Sequence, residues 1–168
     1  KDVFWAHRGG SNNWSECTLH AYTQSIWWGV KVLELTVMQT LDGLWIGSHD
    51  PNVLNLTGHD LTVANTHSSA LLGLPVILPA GDNTGVLGLA TEFMDTYPDY
   101  VWMLDRKARG NMSSFLNLIQ RIPNATEHVI IKFDGKYDRD TAVQARALGF
   151  KTAGYIWNTT MEELELMA

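Results

Sequence analysis

Short apolar runs alternate with amphipathic stretches along the chain, and this alternation predicts strands that are each followed by a helix. The predicted strands cover residues 3–6, 31–37, 44–48, 100–105, 128–133 and 150–157. The predicted helices cover residues 17–28, 85–97, 111–121 and 138–148, with a last helix from about 160. A turn at Asp42-Gly43 joins the second and third strands, as in a hairpin.

The strand runs are mostly of the buried type, which is typical of parallel strands covered by helices. Together with the order of strands and helices, they predict an α/β fold with a parallel sheet. A complete barrel of eight strands and eight helices usually needs about 250 residues, whereas this chain has 168. The pattern leaves three explanations open: a truncated barrel, a barrel of which this chain represents a part, or an open doubly wound sheet.

The segment from Pro51 to Asn83 departs from this regular pattern. It is rich in Gly, Pro, Asn, Thr and His and has no sustained hydrophobic period. Such a composition favours loops with only short elements of their own. No repeat or linker is visible, so we expect one domain over residues 1–168 with an excursion over 51–83.

Composition narrows the class of protein. Hydrophobic residues make up 45% of the chain, which allows a sizeable core, and a net charge of −6 argues against a nucleic-acid surface. The single cysteine, Cys17, excludes an intrachain disulfide framework and a cysteine-rich zinc site. No run is long and apolar enough to cross a membrane. The oligomeric state is left open.

Sequons give the only indication of a compartment. Five Asn-x-Ser/Thr sequences begin at Asn13, Asn55, Asn111, Asn124 and Asn158. They favour a secreted or extracytoplasmic glycoprotein, and chance in a Ser- and Thr-rich chain is the competing explanation. No signal peptide is visible at the first residue, so we expect any targeting segment to have been removed or never to have existed.

Two of the apolar runs end in histidines. The run Val3–Ala6 leads into His7-Arg8-Gly9-Gly10, and the run Leu44–Ser48 leads into His49-Asp50. In α/β proteins the chemistry is concentrated at such strand ends. A proton-transfer group beside a fixed positive charge suits an anionic substrate such as a phosphate.

Six short motifs follow one another in a specific order. They are His7-Arg8-Gly9, Glu16-Cys17-Thr18, Glu34-Leu35-Thr36, Thr40-x-Asp42-Gly43, Ser48-His49-Asp50 and Leu104-Asp105-Arg106-Lys107. With them the chain resembles the glycerophosphodiester phosphodiesterase family, whose motifs are H-R-G, E-N-T, E-x-D, T-x-D-G, H-D and E-x-K. The resemblance is dense over residues 4–58 and looser over 100–107, and the strands near 129–133 and 155–158 also look similar to later strands of the family.

The resemblance implies a (β/α)8 barrel, apparently incomplete at the C-terminus in this chain, a small phosphodiester substrate and a divalent cation, Ca²⁺ or Mg²⁺. It also implies that His7 and His49 form the acid/base pair. Chemistry supports such a pair independently, because hydrolysis removes a proton from the nucleophile and adds one to the leaving alkoxide, and two imidazoles can share this work. We expect His7 to act as base and His49 as acid.

The resemblance further implies that Arg8 and Lys107 bind the substrate phosphate and that Glu34 and Asp105 bind the metal. Negative charge on phosphoryl oxygens needs cations nearby, and carboxylate oxygens suit a hard metal ion. Trp157 is a candidate for packing against the glycerol of the substrate, with core packing as the alternative.

The sequence differs from the family motifs at three positions. Thr36 stands where the family has a metal-binding aspartate, Asp105 replaces a glutamate and Cys17 replaces an asparagine. The change at Thr36 matters most, because it removes one negative charge from the face that Glu34 shares with it. Either another carboxylate, Asp42 or Asp50, compensates, or the site is degenerate.

The predicted function is hydrolysis of a glycerophosphodiester to glycerol 3-phosphate and an alcohol. A lysophospholipid is the other substrate that we consider. One alternative is a degenerate relative that binds a phosphate ester or a protein partner, and another is a lipid phosphodiesterase of the sphingomyelinase D type. Some site residues also have structural explanations: Arg8 as an ion-pair partner of Glu16, Glu34 as a member of a buried salt bridge, Asp105 as a partner of Arg106, and Lys107 as a solvated surface residue.

Overall fold

A mixed sheet lies at the centre of the computed structural model, which describes residues 4–77, 84–107 and 112–156. Its strands are β1 (Trp5–Ala6), β2 (Val32–Gln39), β3 (Trp45–Gly47), β4 (Val101–Arg106), β5 (Val129–Asp134) and β6 (Lys151–Tyr155). Each strand lies within about two residues of a predicted one. Trp157 and the predicted last helix lie outside the described residues.

Helices connect the parallel strands. They are α1 (Leu19–Trp27), α2 (Leu54–Thr57), α3 (Ser68–Leu71), α4 (Ala90–Thr96), α5 (Met112–Gln120), α6 (Ala125–His128) and α7 (Arg139–Ala147), with 3₁₀ turns at His7–Gly9 and Val63–Asn65. Among the described residues, none of these helices is long and apolar enough to cross a membrane.

The order of the strands distinguishes between the explanations that the sequence leaves open. The parallel strands are neighbours in chain order, β1-β2-β4-β5-β6, and β3 pairs antiparallel with β2. A doubly wound sheet reverses its strand order at a switch point, and this sheet does not. The described residues therefore form a parallel half-barrel, as in an incomplete (β/α) barrel.

The two faces of this half-barrel differ in polarity. One face is apolar and packs on the helices through alternate residues of β2, β4 and β5, namely Leu33, Leu35, Val37, Trp102, Leu104, Val129 and Ile131. Because side chains alternate along a strand, the intervening residues face the other side. Four charged or polar residues of the strands, Glu34, Thr36, Asp105 and Lys132, are on that inner face.

The segment after β3 carries short elements, α2, α3 and a 3₁₀ turn. Its apolar residues form a second cluster, in which Val53, Leu56 and Val63 pack with Met38 and Ile46 of the sheet. Residues 78–83 of the expected excursion lie outside the described residues.

The helix predicted over 85–97 is shorter than expected, since α4 begins at Ala90. Val86 and Leu89 are extended instead, because they form isolated bridges with Pro75 and Ile46. These tertiary pairings outweigh the local helical pattern.

Candidate active site

The turn after β1 places His7 and Arg8 at the carboxyl end of the sheet. Arg8 (φ 50°), Gly9 (φ 78°) and Gly10 (φ 91°) are all left-handed, so the chain reverses within three residues. A Cβ on Gly9 would lie 2.9 Å from the Cβ of Ala21, and only glycine allows this approach to α1. The double glycine therefore fixes the position of the histidine and the arginine.

Arg8 is held by a carboxylate from the next motif. Its Nη1 donates to Glu16 Oε2 at 3.1 Å, and the backbone N–H of Cys17 donates to the Arg8 carbonyl at 2.9 Å. The structural pairing of Arg8 with Glu16 is thus present, yet Arg8 also lines the cavity described below. Cys17 is left-handed (φ 54°), a conformation in which asparagine is enriched, which accounts for the asparagine of the family motif at this position.

His49 is oriented by the residue that follows it. Its Nδ1 lies 2.8 Å from Asp50 Oδ1, and the Ser48 hydroxyl donates to the Asp50 carbonyl at 3.0 Å. A carboxylate facing Nδ1 fixes the ring and leaves Nε2 for other contacts. The Asp50 carboxylate is therefore paired with His49 and does not join Glu34 as the carboxylate that compensates for Thr36.

The sheet register brings Thr36, Asp105 and Lys132 side by side. Thr36 pairs with Asp105 between β2 and β4, and Asp105 pairs with Lys132 between β4 and β5. Glu34 is two residues before Thr36 and shares its face. Glu34 is 1% exposed and Asp105 2% exposed, so both carboxylates are desolvated.

Two lysines neutralise these carboxylates. The ammonium of Lys132 forms an ion pair with Glu34 Oε1 and lies 3.3 Å from Asp105 Oδ2. Lys107 Nζ lies 3.1 Å from the same Asp105 oxygen. We call Glu34, Asp105, Lys107 and Lys132 the lysine–carboxylate cluster.

Tyr155, at the end of β6, covers the two lysines. Lys107 Nζ donates to the Tyr155 hydroxyl at 3.1 Å, and the ring centroid lies 4.8 Å from Lys107 Nζ and 4.9 Å from Lys132 Nζ. Although burial lowers the pKa of Lys107, the hydrogen bond with Tyr155 and the charge of Asp105 outweigh it and raise that pKa above its ordinary value. Lys107 is therefore a fixed cation rather than a solvated surface lysine.

His7 connects the two parts of the site. Its Nε2 lies 3.8 Å from Glu34 Oε2, an oxygen without a hydrogen-bond partner among the described residues. Burial lowers the pKa of His7, and the charges of Arg8 and Lys132 lower it further, against the opposing effects of Glu34 and Glu16. The ring is therefore neutral near pH 7.

A cavity of about 390 Å³ joins these groups, and most residues that line it are ionisable: His7, Arg8, His49, Asp105, Lys107, Lys132, Asp134 and Tyr155. The structure thus brings together five of the residues predicted from sequence, and Glu34 lies directly behind them. Trp157 lies outside the described residues.

Two other hypotheses drawn from the sequence are not supported by the structure: that Asp42 compensates for Thr36, and that Asp105 pairs with Arg106. Asp42 accepts hydrogen bonds from Thr40 Oγ1, Ser68 N and Ser68 Oγ at 2.7–2.8 Å, and these bonds hold its pKa below the usual range. It therefore ties the β2–β3 turn to α3 and is not among the residues that line the cavity. Arg106 pairs with Asp138 at 3.3 Å instead of Asp105.

The sequence pattern missed Lys132 and Tyr155. Lys132 interrupts the apolar run of β5, and a lysine inside a buried-type strand is rare unless it is paired. That mismatch is the signal that could have identified Lys132. Tyr155 carries no comparable signal, because aromatic residues are ordinary in strands.

The comparisons with known proteins show the family of this chain. The model of the glycerophosphoryl diester phosphodiesterase family matches residues 7–167, and the chain belongs to this family. No curated protein matches the chain in sequence.

Similar solved structures share the fold. A glycerophosphoryl diester phosphodiesterase domain from Mycobacterium tuberculosis is 21% identical (TM-score 0.74, 91% of this chain and 60% of that chain). A glycerophosphodiester phosphodiesterase from Thermotoga maritima is 22% identical (TM-score 0.77, 99% and 68%). A phosphodiesterase from Oleispira antarctica, solved with the product sn-glycerol-3-phosphate, is 19% identical (TM-score 0.74, 99% and 72%). The chain thus spans 60–72% of the length of these proteins.

Members of this family generally use a divalent cation, but the donors present here do not fit one. Both predicted metal ligands, Glu34 and Asp105, are paired with the ammonium of Lys132, and the buried hydroxyl of Thr36 makes no hydrogen bond within the part of the chain that the structure describes. Within the described ranges, no group of three or more His, Cys, Asp or Glu side chains is arranged to hold a metal ion. The lysine–carboxylate cluster carries no net charge, so it offers little attraction for a doubly charged ion.

Proposed function

We propose that this chain hydrolyses a glycerophosphodiester to glycerol 3-phosphate and an alcohol. The observation that carries the proposal is one cavity that is lined by two histidines, an arginine and two lysines, namely His7, His49, Arg8, Lys107 and Lys132. The two histidines differ in the charged groups next to them. Family membership supports it, as does the product bound to the Oleispira antarctica relative.

In the proposed reaction, His7 accepts a proton from water and the water oxygen bonds to phosphorus. The bond between phosphorus and the oxygen of the alcohol then breaks, and His49 gives its proton to that oxygen. The products are glycerol 3-phosphate and the free alcohol, and the proton on His7 returns to His49 through solvent. Each proton transfer accounts for about 10²–10⁴-fold in rate.

The surroundings of the two histidines support this order. The lowered pKa of His7 keeps it unprotonated and ready to accept a proton. His49 Nδ1 faces the Asp50 carboxylate, which orients the ring so that Nε2 is left to act on the substrate. Arg8 and Lys107 are proposed to hold the phosphoryl oxygens, and their charge offsets the negative charge that develops there.

A small headgroup ester is the proposed substrate class. The described residues that line the cavity include no aliphatic side chain, whereas a lipid phosphodiesterase of the sphingomyelinase D type requires an apolar surface for acyl chains. The Ca²⁺ or Mg²⁺ expected from the sequence has no place in the proposed steps, because its predicted ligands are paired with lysine.

A second candidate function is binding of a phosphate ester without turnover. Thr36 and the neutral lysine–carboxylate cluster favour it, since both lower the capacity to hold a catalytic metal.

Release of glycerol 3-phosphate from glycerophosphocholine and glycerophosphoethanolamine tests the proposal. We expect turnover by the unchanged chain, and a loss of about 10²–10⁴-fold in His7→Ala and His49→Ala. His59→Ala is the matched control, because His59 bonds the Thr57 carbonyl in the excursion and lies outside the cavity. Binding of glycerol 3-phosphate without any turnover would favour the second candidate.

A further inference from the structure

We propose that the ammonium of Lys132 takes the place of the divalent cation, so that phosphate binding and hydrolysis at this site need no metal ion. The inference rests on the proposed function and adds the source of positive charge. It is carried by the position of Lys132, its contacts and the charge of the groups around it.

The position of Lys132 follows from the sheet register. Lys132 stands beside Asp105, which stands beside Thr36, so the three share one row across β5, β4 and β2. From there the long lysine side chain crosses β4 to reach Glu34 on β2. Its ammonium therefore lies between the two carboxylates that were the predicted ligands of the metal.

The charges at the site balance without a metal. The family motifs E-x-D and E-x-K supply three carboxylates and one lysine, and a divalent cation neutralises that set. In this chain Thr36 removes one carboxylate, and Lys132 adds a second ammonium group. The remaining carboxylates, Glu34 and Asp105, are each paired with lysine, so a buried divalent ion would leave an uncompensated charge.

The ammonium group also reaches the substrate cavity. The side chain of Lys132 is 18% exposed and lines the cavity together with Lys107 and Arg8. An ammonium group has three N–H donors, and two directions are used by Glu34 and Asp105. We propose that the third binds a phosphoryl oxygen beside the Tyr155 ring, which lies 4.9 Å from Lys132 Nζ.

A lysine stabilises negative charge but does not ionise a bound water as a metal ion does. Activation of the nucleophile therefore depends on His7, whose Nε2 lies 3.8 Å from Glu34 Oε2. Besides Glu34, the charged groups that influence His7 are Arg8, Lys132 and Glu16.

Calorimetric titration of the chelator-dialysed protein with CaCl₂ and with MgCl₂ tests the proposal without turnover. We expect no binding to the unchanged chain and binding to the double variant Thr36→Asp/Lys132→Ser, which restores the carboxylate and removes the lysine. Stoichiometric binding to the unchanged chain that is lost in Glu34→Gln would overturn the proposal.

A second titration with glycerol 3-phosphate, in the presence of EDTA, tests the role of the ammonium group directly. Lys132→Met is expected to weaken binding by at least about tenfold, because a charge-assisted hydrogen bond is lost. Lys151→Met, an exposed lysine at the opposite end of β6, is the control and is expected to bind as the unchanged chain does.

If Lys132→Met does not fold, Lys132→Met/Glu34→Gln removes the unpaired buried charge and takes its place in the same titration. Unchanged affinity in whichever of these variants folds would contradict the proposal. Both titrations are independent of hydrolysis, so failure of the proposed function, seen as no release of glycerol 3-phosphate, is distinguishable from failure of this inference.

Discussion

The histidine pair and the lysine–carboxylate cluster face the same cavity but are held in different ways. The side chain of His7 is 55% exposed and that of His49 is partly exposed, and both lie in turns after strands. Glu34 and Asp105 lie inside strands and are almost fully buried. The histidines keep the family motif, whereas Asp105 of the cluster and the neighbouring Thr36 depart from it.

The difference indicates which part of the chemistry can change. A proton-transfer pair depends on two imidazoles, whose pKa no other side chain matches without perturbation. The positive charge next to a phosphoryl group can come from a metal ion, an arginine or a lysine. In this chain the proposed proton-transfer histidines stay as the motif has them, and the proposed source of charge differs.

Loss of Lys132 has the largest expected effect on catalysis within the cluster. We expect Lys132→Met to lower kcat/KM by about 10²–10³-fold, the range found when one donor to a developing negative charge is removed. The histidine variants are expected to lower kcat while product affinity stays close to normal, whereas Lys132→Met is expected to lower both kcat and product affinity. Steady-state kinetics combined with the product titration separates the two regions. If the histidine variants and Lys132→Met changed kcat and product affinity in the same way, the proposed difference between the regions would be wrong.

The two regions are also expected to differ in how much they contribute to the free energy of unfolding. Lys132→Met leaves Glu34 and Asp105 buried beside Lys107 alone, and we expect a loss of about 2 kcal/mol in the free energy of unfolding, less than for a fully buried pair. Glu34→Gln added to this variant recovers part of the loss. His7→Ala is expected to change stability by no more than about 0.5 kcal/mol, as at an exposed position. Urea unfolding of the four proteins measures this.

The pH dependence of kcat/KM couples the two regions. His7 works unprotonated, and its pKa is lowered from 6.5, so activity is expected to fall with decreasing pH only below about 6.5. In Lys132→Met the lysine charge no longer lowers this pKa and Glu34 is freed to raise it, so the acid limb moves to higher pH. An acid limb that stays in place would show that the cluster does not act on His7.

The smallest effect concerns Cys17, which lies behind both regions. Burial raises the pKa of its thiol to about 12, so it contains almost no thiolate near pH 7. We expect no reaction with a thiol reagent in the native protein and one equivalent after unfolding. Rapid labelling of the native protein would indicate that the Arg8–Cys17 turn opens.

Sequence reasoning succeeded where the information is local. The turn at His7–Gly10 and the pair His49-Asp50 follow strands directly, so their place at the sheet edge could be predicted from neighbouring residues. The contact between Glu34 and Lys132 joins residues 98 positions apart, and it depends on the strand order and register that only the fold defines.

The helix predicted over residues 85–97 was placed too early, since α4 begins at Ala90, and the reason is the same. Val86 and Leu89 pair with residues 11 and 43 positions away along the chain, and no local pattern indicates these bridges. Tyr155 reaches the cluster only because β6 lies beside β5.

Hydrolysis of glycerophosphocholine after exhaustive dialysis against EDTA tests the central claim most directly. We expect the same kcat/KM in EDTA as after addition of Ca²⁺ or Mg²⁺, and a large decrease in Lys132→Met under both conditions. Activity that disappears in EDTA and returns with the metal ion would contradict it.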